Sequence, residues 1–253
     1  MADIDAYAAP ASQAGSFNSA GRIVAAGRGW DWIVEAWALF RKQPGMWILI
    51  IVIAGILFIA ISVIPILGSL ASTLLMPIFG AGLMLGCKEL DHGGTLELAH
   101  LFAGFKQRTG DLVMVGVFNL IGGVLIALAF TAVAGGGVFM AIISGGTAGP
   151  ALPLVSIMIG LLLVAGLLVP LTMALWFAPA LIVLHEMAPV AALKASFFAS
   201  LRNWLPFLVY GVVLLVLSLA AAIPAGLGYL ILFPVLAASV YTAYRDIFCG
   251  APA

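Results

Sequence analysis

Six long apolar stretches dominate this chain, and each can cross a bilayer, which takes about 20 such residues. They cover residues 45–64, 69–87, 112–134, 154–184, 205–223 and 228–244. The alternation over about ten residues that marks a membrane barrel strand is absent, so the spans are read as helices. Composition supports this. Charged residues make up 8% of the chain and hydrophobic ones 64%, against roughly 25% charged in a soluble domain. A soluble enzyme, a secreted disulfide scaffold and a disordered chain are thereby excluded. With a net charge of zero, nothing points to nucleic acid as a partner.

Charge placement sets the expected topology. Every charged residue and every histidine lies before the first span, between spans two and three, between spans four and five, or after the sixth. The opposite connections, near residues 65–68, 135–153 and 224–227, carry no charge. By the positive-inside rule both termini face the cytoplasm. Trp30, Trp32, Trp47, Trp204 and Tyr244 sit near span ends, as interfacial anchors do. The fourth span is overlong, and Pro170 and Pro179 are expected to kink it.

Residues 1–28 read as a flexible cytoplasmic tail. The first 20 carry Asp3 and Asp5 where a signal peptide would be basic. Cys87 and Cys249 fall on the cytoplasmic side, where thiols stay reduced, and lack metal-ligand spacing, so they read as packing residues.

Residues 29–253 form a single membrane domain with an internal threefold pattern. Each odd-numbered span follows a segment reading aromatic, Ala, any, apolar, basic: Trp37-Ala38-Leu39-Phe40-Arg41, Phe102-Ala103-Gly104-Phe105-Lys106 and Phe198-Ala199-Ser200-Leu201-Arg202. Each even-numbered span ends at a titratable pair whose second member is acidic: Lys88-Glu89, His185-Glu186 and Arg245-Asp246. Pro77 and Pro234 each precede the basic residue of their pair by 11 positions. The expected fold is therefore all-α: a polytopic bundle of three parallel two-span repeats, about 29–90, 95–187 and 189–249. A cytoplasmic interfacial amphipathic helix precedes each pair of spans.

The connecting helices show apolar stripes at helical spacing. In the first, Trp30, Ile33, Val34, Trp37 and Phe40 make the stripe while Asp31, Glu35 and Lys42 face away. In the second, Thr95 is the expected N-cap and Leu98, Leu101, Phe102 and Phe105 the stripe. In the third, Pro189 opens the helix, and Val190, Leu193, Phe197, Leu201 and Trp204 line one face. These helices are either elbows or a collar that binds lipid or a partner. The collar candidates are Trp37, Arg41, Phe102, Lys106, Phe198, Arg202 and Trp204.

No ionisable residue lies deep in a span, which argues against a proton-coupled pump or an intramembrane acid protease. Asn119 is the side-chain amide well inside a span, either interhelical glue or a pathway residue. Gly82 and Gly86 form a small-residue packing surface. Glu-x-x-His occurs twice, at Glu89/His92 and Glu97/His100. Di-iron bundles use that spacing on two helices, but here Gly93-Gly94 separates the copies and further glutamates are missing. A solvated loop is the simpler reading, and no metal, cofactor or catalytic residue is assigned. Gly135-Gly136-Gly137 and Gly145-Gly146 read as flexible turns in the neutral loop.

Residues 29–33 (GWDWI) leading to 39–45 (LFRKQPG), and residues 191–197 (AALKASF) leading to 201–207 (LRNWLPF), resemble a family of uncharacterised proteobacterial inner-membrane proteins. More distantly, the plan of interfacial helix plus paired spans is similar to the membrane domain of some glycerophosphodiester phosphodiesterases, without their catalytic barrel. The resemblance implies a six-span inner-membrane protein and carries over no catalytic residue. The expected function is non-enzymatic binding of membrane lipid, or of another membrane protein or a second copy. The alternative is a transporter or channel for a neutral or apolar solute.

Overall fold

A computed structural model describes residues 17–145 and 151–250. All of its regular structure is helical among the described residues. Helix α1 (Arg28–Lys42) leads into α2 (Pro44–Ser62) and α3 (Leu67–Asp91). A short α4 (Leu98–Leu101) and a 3-10 turn (Ala103–Phe105) precede α5 (Thr109–Phe130). Helix α5 runs through a π-helical turn (Thr131–Gly135) into α6 (Gly136–Ile143), and α7 (Ala151–Trp176) and α8 (Ala178–His185) return. Then come α9 (Pro189–Arg202), α10 (Trp204–Ala222) and α11 (Tyr229–Tyr244), the last closing in a π-helical turn (Arg245–Cys249).

Six helical runs are long and apolar enough to span: Pro44–Ser62, Leu67–Asp91, Thr109–Ile143, Ala151–His185, Trp204–Ala222 and Tyr229–Cys249. They match the six apolar stretches. The difference lies in the middle pair, where both runs reach 35 residues. Gly135, Gly136 and Gly137, read as flexible turns, are helical. The neutral connection shrinks to residues 144–150, of which 146–150 lie outside the described residues. The chain continues as helix because its apolar, uncharged sequence offers backbone groups no better partner than the helix itself.

Proline and an inserted hydroxyl break the fourth run where a kink is expected. Pro179 opens α8, and the backbone N–H of Phe177 donates to Ser196 Oγ at 3.0 Å. The same hydroxyl donates to the Met173 carbonyl at 2.7 Å. Ser196 of α9 thus stands between a donor and an acceptor four residues apart, a recognised cause of a sharp bend. Pro170 lies inside α7.

Consecutive spans pack on each other: α2 on α3, α5 on α7, α10 on α11. The connecting segments pack on the pair that comes before them. The α4 segment lies on α3, and α9 lies on α7 and α8. Helix α1, which has no preceding pair, lies on α10 and α11. The first helix thereby joins the last spans.

The connecting helices bury only part of the expected stripes. In α1 the buried side is Gly29, Trp32, Ile33, Ala36, Leu39 and Phe40, whereas Trp30, Val34 and Trp37 are exposed. In α9 the small residues Ala192, Ser196, Ala199 and Ser200 face inward and Val190, Phe198 and Leu201 face outward, as does Trp204 at the start of α10. A bilayer reverses the soluble rule. Large apolar side chains are at no disadvantage in lipid, and small ones let helices approach closely. The second connecting helix is broken into α4 and a 3-10 turn, with Glu97 rather than Thr95 as N-cap. A Cβ on Gly104 would collide with the Ile78 carbonyl, so this segment hugs α3 too tightly for a regular helix.

Candidate functional site

At the charged end, a polar clasp holds α1 to the last span. Asp246 is almost fully buried. Its Oδ2 accepts from Arg28 Nε at 2.6 Å and from Trp32 Nε1 at 2.8 Å. Thr242 Oγ1 donates to the Trp32 carbonyl at 2.8 Å. Trp32, expected at the interface, is instead buried because its indole N–H reaches this carboxylate. Trp47 and Tyr244 are likewise buried, while Trp30 and Trp204 are exposed. Partial burial works to lower the pKa of Arg28, but the hydrogen bonds and charges of Asp246 and Glu35 outweigh it and raise the value.

The clasp continues into α3. Glu35 does not face away: it accepts from Arg28 Nη2 and Arg245 Nη2, each at 2.8 Å. Arg245 Nη1 donates to both oxygens of Asp91 at 2.6 and 2.7 Å. Tyr241 donates to Asp91 Oδ2 at 3.1 Å. One chain of charges therefore ties α1, α3 and α11 together. Residues 17–24, within the segment read as a tail, lie along the same end. The N–H groups of Asn18 and Arg22 donate to the carbonyls of Phe248 and Ile247, both at 2.8 Å, and Val24 N–H donates to Asn203 Oδ1 at 2.9 Å.

Beside this clasp is a pocket of about 240 Å³. Lys88, His185 and Arg245 all line it, and each is the first member of a titratable pair at the end of an even-numbered span. Residues separated by 97 and 60 positions in sequence thus converge on one space. Asp91, His92, Tyr241, Tyr244 and Cys249 complete the polar side-chain lining. His185 Nε2 hydrogen-bonds the Tyr244 hydroxyl, and Phe17 stacks on the imidazole at 3.6 Å between centroids. Cys249 Sγ lies 3.3 Å from the Tyr244 oxygen, whereas Cys87 is buried in the core.

A second, apolar cavity of about 250 Å³ lies between α3, α5, α7–α8 and α11. Met76, Pro77, Gly80, Met84, Pro179 and Ala237 line it together with Asn119. The two spaces use the same helix faces. On α3 the series 77, 80, 84, 88, 91 follows helical spacing, as do 180 and 184 on α8 and 237, 240, 244 on α11. Pocket and cavity are therefore stacked one helical turn apart, about 5 Å along the axes. Asn119 makes no side-chain hydrogen bond among the described residues, so the glue it was expected to provide is not formed.

The structure places the remaining candidates as follows. Trp37, Arg41, Phe102, Lys106, Phe198 and Arg202 are exposed on the three connecting segments, and Trp204 is exposed at the start of α10. The central position of each motif, Leu39, Gly104 or Ser200, is buried. Gly82 and Gly86 face the α4 segment. A Cβ on Gly82 would collide with the His100 carbonyl, and one on Gly86 with Leu96 Cδ1. That surface is consumed within the chain. Glu97 and His100 form a reciprocal capping box around α4, with Glu97 N–H donating to His100 Nδ1 at 3.0 Å. His92 Nδ1 sits 2.7 Å from the Lys88 carbonyl. Both Glu-x-x-His histidines thus serve local backbone groups. No group of three metal-ligating side chains occurs among the described residues.

From sequence Glu35 reads only as facing away, and Asp91, Tyr241 and Phe17 are not singled out as site residues. Their partners lie up to 210 positions away, and nothing local marks them. Only the recurrence of a charged pair at each span end gave a usable signal.

A probable inner membrane protein of Burkholderia thailandensis is 30% identical to this chain over 226 residues. The match covers 86% of this chain and 82% of that protein. No family model matches the chain, and no solved structure matches it.

Proposed function

Because this chain belongs to the family of that Burkholderia inner-membrane protein and carries six spanning helices, it is a multi-pass inner-membrane protein, and we propose that it is a non-enzymatic lipid binder. The observation that carries this reading is the placement of a polar pocket one helical turn from an apolar cavity, along the shared faces of α3, α8 and α11. An amphiphile needs that sequence of environments in that order. The exposed aromatic and basic side chains of the three connecting segments support the reading as a collar at headgroup level, where such residues anchor proteins to membranes.

In this reading the chain is three copies of one unit, an interfacial segment followed by two spans. Each segment docks on the previous pair, and α1 closes the ring on the third. The same plan underlies the distant likeness to the phosphodiesterase membrane domain. The charged end faces the cytoplasm by the positive-inside rule. A reporter fused at Gly145, between α6 and α7, then reads as periplasmic, and a cytoplasmic reading overturns the orientation.

Native mass spectrometry after gentle detergent extraction tests the binding. Wild-type protein is expected to carry bound lipid. Gly80→Phe should lose it, because Gly80 lines the cavity and a Cβ there meets open space, so the ring fills the cavity without displacing a helix. Lipid-free wild-type protein, or full retention by G80F, refutes the reading.

A second reading rests on Asn119. Its unpartnered amide faces a cavity flanked by Pro77 and Pro179, an arrangement suited to passing a neutral solute. Uptake or efflux of such a solute by proteoliposomes, abolished by Asn119→Leu, is its test.

A further inference from the structure

The pocket at the charged end has an unequal charge pattern. Arg245 is neutralised, with one nitrogen on Asp91 and another on Glu35. Asp91 is in turn held by Arg245 and Tyr241. Lys88 also lines this pocket, and its ammonium makes no ion pair or hydrogen bond among the described residues. The wall thus presents one uncommitted positive charge beside a neutralised pair. The exposed neighbour Glu89 points its carboxylate toward Gly94, whose Cβ position it occupies, rather than pairing with Lys88.

Depth adds a second constraint. Lys88, the unpaired cation of the pocket, and Met76, the far wall of the cavity on α3, are separated by 12 residues. At 1.5 Å per residue this is about 18 Å, close to the roughly 15 Å of one leaflet of a 30 Å hydrocarbon core. A polar, cationic pocket and an apolar cavity set in line over that depth match the headgroup and acyl chain of one lipid of the charged-side leaflet.

We propose that the three-unit centre selects a lipid with an anionic phosphate headgroup and no compensating amine, held by Lys88, with an acyl chain in the Asn119 cavity. This rests on the lipid-binding reading above and adds the headgroup class. Arg245 and Asp91 shape the pocket floor, and Lys88 supplies the charge. A zwitterionic headgroup brings its own ammonium to the same site and gains less from Lys88.

The test is competition between phosphatidylglycerol and phosphatidylethanolamine, supplied in equal amounts to purified full-length protein and read by native mass spectrometry. The wild type should retain phosphatidylglycerol in roughly tenfold preference, as expected for one hydrogen bond to a charged group. Lys88→Gln should reduce the preference to near unity while still carrying lipid. G80F should lose both lipids. Equal retention of the two lipids by wild type, with loss of both in G80F, overturns the headgroup assignment and leaves lipid binding standing. Absence of lipid from the wild type, or insensitivity to G80F, overturns both. A thermal shift with inorganic phosphate alone that vanishes in Lys88→Gln, without phosphatidylglycerol preference, shows a free-anion site and also overturns the proposal. Because Lys88 is exposed and unpaired, Lys88→Gln should fold normally, and size-exclusion elution checks this.

Discussion

The first and last spans show two opposite uses of a membrane helix. In α2, 11% of the spanning window is buried inside the protein, and in the last span 61%. Helix α2 is almost wholly apolar and turns Ile56 and Ile59 outward. The last span carries Ser239, Tyr241, Thr242, Arg245 and Asp246, and of these all but Arg245 are buried. In water the more apolar helix would occupy the core. In lipid it is the one that can face outward, because acyl chains solvate it as well as protein does. Polar groups and small side chains therefore mark the interior, where they find hydrogen-bond partners and close approach.

That contrast can be broken by substitution. The largest effect is expected for Asp246→Ala, which leaves Arg28 Nε and the Trp32 indole N–H without their shared acceptor. A loss of about 3 kcal/mol is expected for breaking a largely buried pair, read as a lower midpoint of unfolding in detergent. Asp246→Asn, which keeps an acceptor, should lose less.

Next comes Gly82→Ala against Gly80→Ala, two positions on one helix. A methyl at Gly82 meets the His100 carbonyl, whereas one at Gly80 meets nothing within 4 Å. Gly82→Ala should cost about 2 kcal/mol through overpacking. Gly80→Ala should be neutral or stabilising by up to about 1 kcal/mol from helix propensity. Equal thermal shifts would show that α4 does not lie on α3 as described.

Ser196→Ala should cost about 1–2 kcal/mol, since the Phe177 N–H and Met173 carbonyl both lose a buried partner. Smallest of all is Ile56→Val on α2, expected within about 0.5 kcal/mol. A large effect there would mean that α2 is covered by protein rather than lipid.

Much of this architecture was legible from local signals. The six spans follow from apolar length, the α8 break from Pro179, and the start of α9 from Pro189. The connecting segments were found through one motif, and the pocket-lining Lys88, His185 and Arg245 through their recurrence at span ends. The side from which each helix packs was not legible. In α1, the stripe with Trp30, Val34 and Trp37 and the stripe with Trp32, Ala36 and Leu39 are both apolar. Hydropathy alone cannot separate a lipid-facing stripe from a protein-facing one.

The sequence by itself determined where the chain crosses the membrane and on which side its charges gather, because those follow from segment length and from the cost of putting charge in hydrocarbon. Only the tertiary structure decided which groups meet: Asp246 with Arg28 and Trp32, Glu35 with Arg245, and the three span-end residues around one pocket above the Asn119 cavity. Those meetings depend on helix rotation and on α1 joining the last spans. Both are set by contacts between residues as much as 218 positions apart, and no local pattern records them.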